Sequence, residues 1–116
     1  MMKRGEVFVA QLRPRSGSEQ RGTRPVIVVS HDAFNEVDGW RSVIVVPLST
    51  SDRQAARGPT AVAIESGAGG LARKSVALCH QVTTLDRSKL SRRLGTLPPD
   101  DSARVDAGLK AALSLF

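Results

Sequence analysis

Pro25-Val26-Ile27-Val28-Val29 and Ser42-Val43-Ile44-Val45-Val46-Pro47-Leu48 decide the fold class. Both are short, continuous β-branched runs, the pattern of strands that are covered on both faces or line a small barrel. Neither approaches the roughly 20 apolar residues of a bilayer-spanning helix. Upstream, Glu6-Val7-Phe8-Val9-Ala10-Gln11-Leu12 alternates in part and reads as a first strand. Downstream, Thr60-Ala61-Val62-Ala63-Ile64 and Ser75-Val76-Ala77-Leu78-Cys79 give two more, with Gln81-Val82-Thr83-Thr84-Leu85 as an extension of the last.

The connections carry turn chemistry. Residues 13–23 hold Pro14, Gly17 and Gly22 among polar and basic side chains, a loop longer than most in a compact domain. Residues 31–41 read as a connection with one helical turn near Asp32-Ala33-Phe34-Asn35, and residues 51–58 as a polar stretch. Gly67-Ala68-Gly69-Gly70 reads as a turn, because no lysine followed by Ser or Thr stands in phosphate-loop spacing. A short helical turn fits Arg87-Ser88-Lys89-Leu90. At the C-terminus, Pro98-Pro99-Asp100-Asp101 starts a helix whose apolar face is Val105, Leu109, Ala112, Leu113 and Phe116. The expected architecture is mainly β: one domain over 1–116, a small antiparallel barrel with a C-terminal helix and one or two short helices.

Composition narrows the function. With 41% apolar and 24% charged residues in 116, the chain has material for a core. Three Phe, one Trp and no Tyr leave little for an aromatic RNA-stacking sheet. Seventeen basic against eleven acidic residues give +6, which favours an anionic partner or serves as solubility charge. The lone Cys79 excludes an internal disulfide, and one thiol with two histidines is too few for a structural zinc site. Met1-Met2-Lys3-Arg4-Gly5 leads straight into a strand and has no secretory pattern, so the expected location is cytoplasmic, away from any membrane.

Three segments can carry chemistry. In Gly17-Ser18-Glu19-Gln20-Arg21-Gly22-Thr23-Arg24-Pro25, Arg24 stands one residue before a strand, and Pro25 biases it toward extended geometry. A guanidinium fixed there can grip a phosphate through two parallel hydrogen bonds, with Glu19 near enough in sequence to share the site. The same residues can equally form a surface ion pair worth about 0–1 kcal/mol. In Val46-Pro47-Leu48-Ser49-Thr50-Ser51 a buried strand ends in three hydroxyls, which either donate to a phosphate on the same rim as Arg24 or bond their own backbone. In Cys79-His80-Gln81, His80 can carry a proton and Gln81 can read a base edge, while Cys79 reads as a buried thiol. Nothing in the sequence brings His31 and His80 together as a ribonuclease pair.

In order along the chain, these segments resemble the MazF/PemK family of toxin endoribonucleases. The resemblance runs through Arg4-Gly5-Glu6-Val7, Gly17-Ser18-Glu19-Gln20, Thr23-Arg24-Pro25-Val26, Val46-Pro47-Leu48-Ser49-Thr50, Gly70-Leu71, Ser75-Val76, Gln81-Val82, Thr84-Leu85-Asp86 and Arg92-Arg93-Leu94-Gly95. It implies an SH3-like barrel, a homodimer, cofactor- and metal-independent cleavage of single-stranded RNA, and neutralisation by an acidic antitoxin. Residue by residue, it makes Arg24, Ser49 and Glu19 catalytic, with Ser18, Gln20, Thr50 and Gln81 as substrate-binding positions. Serine at 49 departs from the family's usual threonine, so Thr50 stands as the alternative hydroxyl. Two other functions share the fold: a non-enzymatic toxin that grips a protein such as DNA gyrase, and an RNA binder with reduced cleavage.

Overall fold

The computed structural model describes residues 2–12, 22–56 and 58–116. Its strands are β1 (Glu6–Gln11), β2 (Thr23–Val28), β3 (Ser42–Ser49), β4 (Ala61–Ile64), β5 (Ser75–Leu78), β6 (Thr83–Asp86) and β7 (Leu90–Thr96). Helices α1 (Asp32–Asn35) and α2 (Asp52–Ala55) are single turns, and α3 (Pro99–Leu113) closes the chain. All described pairings are antiparallel, in the order β4-β5-β3-β2-β1-β7, with β6 also on β3. The mainly β reading with a C-terminal helix therefore holds.

β3 is the hub because it is long and apolar on both faces. β2 lies along one edge. β6 pairs with its first half and β5 with its end, along the other edge. Strand alternation gives the sheet two buried sides. Val7, Ile27, Val46 and Leu48 pack with Ile64, Leu71, Leu97 and Val105. Ala10, Val26, Val28, Val43 and Val45 form a second cluster with Leu12. Two-sided burial is what the unbroken β-branched runs encode.

Several boundaries differ from the sequence reading. β2 begins at Thr23, so Arg24 is inside the strand and not ahead of it: Thr23 and Arg24 pair with Gln11 and Ala10, and the Thr23 hydroxyl lies 3.2 Å from Gln11 Oε1. Gln81 to Leu85 is no extension of β5, because the 3-10 turn Cys79–Gln81 breaks the chain and β6 starts afresh on β3. β7 was not expected, since Arg92 and Arg93 interrupt its apolar character; they suit an edge strand, where charge blocks edge-to-edge pairing.

The helical face also differs. Val105 is buried, but Leu113 is 53% exposed and Phe116 lies beyond the helix, which ends where Ser114 turns left-handed at φ 57°. Leu109 and Ala112 pack against the core beside Val105 as the spacing predicts, and α3 also buries Gly108, where a Cβ would stand 2.7 Å from Cys79 Sγ.

Cys79 is fully buried and its thiol donates to the Val105 carbonyl at 3.6 Å. Burial, aided by the Asp106 carboxylate, pushes this thiol from 9.0 up to about 11. The folded state thus holds the proton more tightly than the unfolded chain. Its contribution to stability is full below pH 9 and lost as the pH climbs towards 11. Urea midpoints are expected to fall over that window more in the native protein than in Cys79→Ala; parallel profiles would contradict the assignment.

The corner at 31–41 is tied down by Arg87, whose guanidinium donates to the carbonyls of Phe34 (3.1 Å) and Asn35 (2.6 Å) at the end of α1. Beside it the Phe34 and Trp40 rings stack at 5.3 Å, 48% and 45% exposed. No described helix is long and apolar enough to cross a membrane.

Candidate active site

The site lies where β2 begins and β3 ends. The β2–β3 register is Val26 with Pro47, Ile27 with Val46 and Val28 with Val45. Continued two residues, the same register opposes Arg24 to Ser49. The Val29 amide donates to the Ile44 carbonyl at 2.9 Å, which fixes the phase: odd-numbered amides of β2 face β3. Pro25 falls on that phase with no hydrogen to donate, so the ladder loses a bond next to Arg24. β3 meanwhile continues along β5, pairing Ser49 with Val76.

Alternation then sorts the side chains. Arg24 shares its face with Val26 and Val28, and Ser49 shares the same face with Val45 and Pro47. Arg24 is exposed, while Ser49 is only 5% exposed and its hydroxyl accepts a bond from the Ser51 amide at 3.1 Å. Thr50 is exposed and, with Pro25, lines a groove of about 300 Å³ on the other side. The two candidate hydroxyls thus present to different surfaces, a distinction that adjacency in sequence hides. Gln81, half-buried in the turn between β5 and β6, is on the far edge of β3 from Arg24. Glu19, Ser18 and Gln20 lie outside the described residues.

The groove's floor and walls include Val9, Pro25, Leu71, Leu94, Arg73 and Arg92. The arginines at 73 and 92 are not among the site residues that the sequence points to. Their only sequence signal is a cation beside a motif, and the pairing of Val9 with both Pro25 and Arg92 brings the latter to the rim. Among the described residues, no group of three or more His, Cys, Asp or Glu is arranged to hold a metal ion.

The fold is a small antiparallel sheet closed by a C-terminal helix, with a groove whose charged lining residues are Arg73 and Arg92 beside the start of β2 and the end of β3. Residues 3–113 match the PemK-like, MazF-like toxin of type II toxin–antitoxin systems, and the chain belongs to that family. It is 36% identical over 116 residues to the Endoribonuclease EndoA of Bacillus subtilis (strain 168), covering 100% of this chain and 97% of that protein. Among solved structures, it resembles an endoribonuclease in complex with its cognate antitoxin from a Mycobacterial species, with TM-score 0.81, 26% identity and coverage of 100% and 98% of the two chains. It also resembles MazF from Deinococcus radiodurans, with TM-score 0.79, 28% identity and coverage of 98% and 97%.

Proposed function

We propose that this protein is an endoribonuclease toxin that cleaves single-stranded RNA at short sequences. The ribose 2′-oxygen attacks the adjacent phosphorus, the bond from phosphorus to the 5′-oxygen breaks, and the products end in a 2′,3′-cyclic phosphate and a 5′-hydroxyl. The 2′-hydroxyl proton leaves to a base and the departing 5′-oxygen gains one. DNA lacks the nucleophile and is not cut.

The observation that supports this reading is the β2–β3 register, Val26 with Pro47 to Val28 with Val45, which extended two residues beyond the ladder brings position 24 opposite position 49. Arg24 neutralises charge on the pentacoordinate phosphorane, because a guanidinium stays protonated at neutral pH and makes a poor base. Ser49 donates to a non-bridging oxygen. Its bond from the Ser51 amide occupies a lone pair and leaves the O–H for that contact. Glu19 serves as the base, and Ser18, Gln20, Thr50 and Gln81 contact the RNA. The working form is a cytoplasmic homodimer, a single domain per chain, held in check by an antitoxin whose acidic segment covers the basic surface.

The test is to incubate the purified protein with mixed RNA and map the 5′-hydroxyl ends, with and without excess EDTA. Sequence-specific ends are expected, at the same rate in both. A strict Mg²⁺ requirement, or ends bearing 5′-phosphate, would refute the 2′-oxygen route. Inhibition of DNA gyrase without any RNA ends would favour the protein-gripping alternative.

A further inference from the structure

The groove beside the proposed site is built like a nucleotide pocket. Its volume of about 300 Å³ is at the lower end of small-molecule sites. Val9, Pro25, Leu71 and Leu94 give it apolar surface, and Thr50 supplies a hydroxyl. Its charged lining residues are both cations, Arg73 and Arg92, and none of the described lining residues is acidic. Neither arginine is engaged in an ion pair among the described residues. The Ser75 hydroxyl donates to the Arg73 carbonyl at 3.0 Å, which ties down the turn that carries Arg73. Arg92 is fixed differently, by the register that aligns it with Val9 and, through Val9, with Pro25.

Position within the sheet says which nucleotide this is. Pro25 follows Arg24 and Thr50 follows Ser49, so the groove begins one residue from each member of the opposed pair, on the reverse side of the same rim. We propose that it is a subsite for a nucleotide flanking the scissile phosphate, with the base on the apolar floor and its phosphate held by Arg73 and Arg92. Charge complementarity selects RNA as the occupant: two guanidiniums with no ion pair among the described residues suit a phosphate, and the apolar floor suits an unstacked base. The inference rests on the RNA-cleavage reading.

The experiment uses two oligonucleotides around a mapped cleavage sequence, one extended by flanking nucleotides on both sides and one trimmed to the cleaved step. Arg92→Ala is expected to raise KM for the extended substrate about tenfold with kcat unchanged, and to leave the trimmed substrate alone. The slope of log affinity against log salt should shrink by about 0.7, the value of one phosphate contact on a single strand. Arg73→Ala should behave alike, and Arg92→Lys should recover most of the loss. An unchanged KM in both alanine variants, or equal losses on both substrates, would overturn the subsite. Binding of the extended strand with a 2′-deoxy sugar at the scissile position, followed by fluorescence anisotropy, separates the two readings. Arg92-dependent binding by a protein that cuts nothing would keep the subsite and remove the nuclease, whereas cutting with Arg92-independent binding would do the reverse.

Discussion

Arg24→Ala is expected to lower the cleavage rate by at least a hundred- to a thousandfold, the usual consequence of removing one preorganised donor from a developing oxyanion. Arg24 is exposed near the start of β2, so its truncation removes no core packing and the thermal transition should move little. RNA binding should persist, weakened, because other cations remain. Initial rates on a mapped RNA, read beside a melting curve, check this. Full activity in the folded variant would remove Arg24 from the chemistry. Ser49→Ala should fall in the same direction, and Ser49→Thr should retain activity, since the hydroxyl is kept.

The largest effect on stability is expected at Gly70. This residue has φ +76°, and a Cβ built on it would stand 2.0 Å from the Leu94 carbonyl oxygen and 2.6 Å from its carbon. Gly95, opposite, is crowded too: its Cβ would lie 2.7 Å from the Gly69 carbonyl carbon. Backbone here meets backbone, where the turn Ala68–Gly70 between β4 and β5 closes on β7. No rotamer change relieves such a contact. Gly70→Ala should therefore cost more than about 4 kcal/mol of a total of about 5–15. Gly39 is the control: its φ is +82° but nothing lies within 4 Å of a Cβ, so Gly39→Ala should show only backbone strain of about 1–2 kcal/mol. Equal losses in denaturant unfolding would mean that conformation, and not the close approach, governs Gly70.

The same pair shows what a sequence conveys and what it withholds. Gly67-Ala68-Gly69-Gly70 is legible as a turn because glycine frees φ locally. Its role as the clasp between distant strands depends on Gly95, which local pattern cannot connect to it. The β-branched runs were legible as strands because burial on both faces leaves an unbroken apolar signature, whereas β7 was hidden by the cations that keep its edge soluble. Leu113 and Phe116 depart from the helical spacing for the converse reason. Helical spacing predicts a face, but the left-handed stop at Ser114 leaves Phe116 outside it, and Leu113, in the helix's last turn, is 53% exposed. At the site, Arg24 and Ser49 were individually readable from motifs. Their proposed opposition rests on extending the β2–β3 register, and the separation of Ser49 from Thr50 follows from pleat, which sequence adjacency does not reveal.

Trp40 is the chain's one indole, and it rests half-exposed against Phe34 on the corner that Arg87 secures. Its emission therefore comes from a single place on the surface, remote along β3 from the proposed cleavage rim. A spectral shift when RNA, which carries no indole, is added reports a change at that corner, so titrations can be followed without attaching a dye.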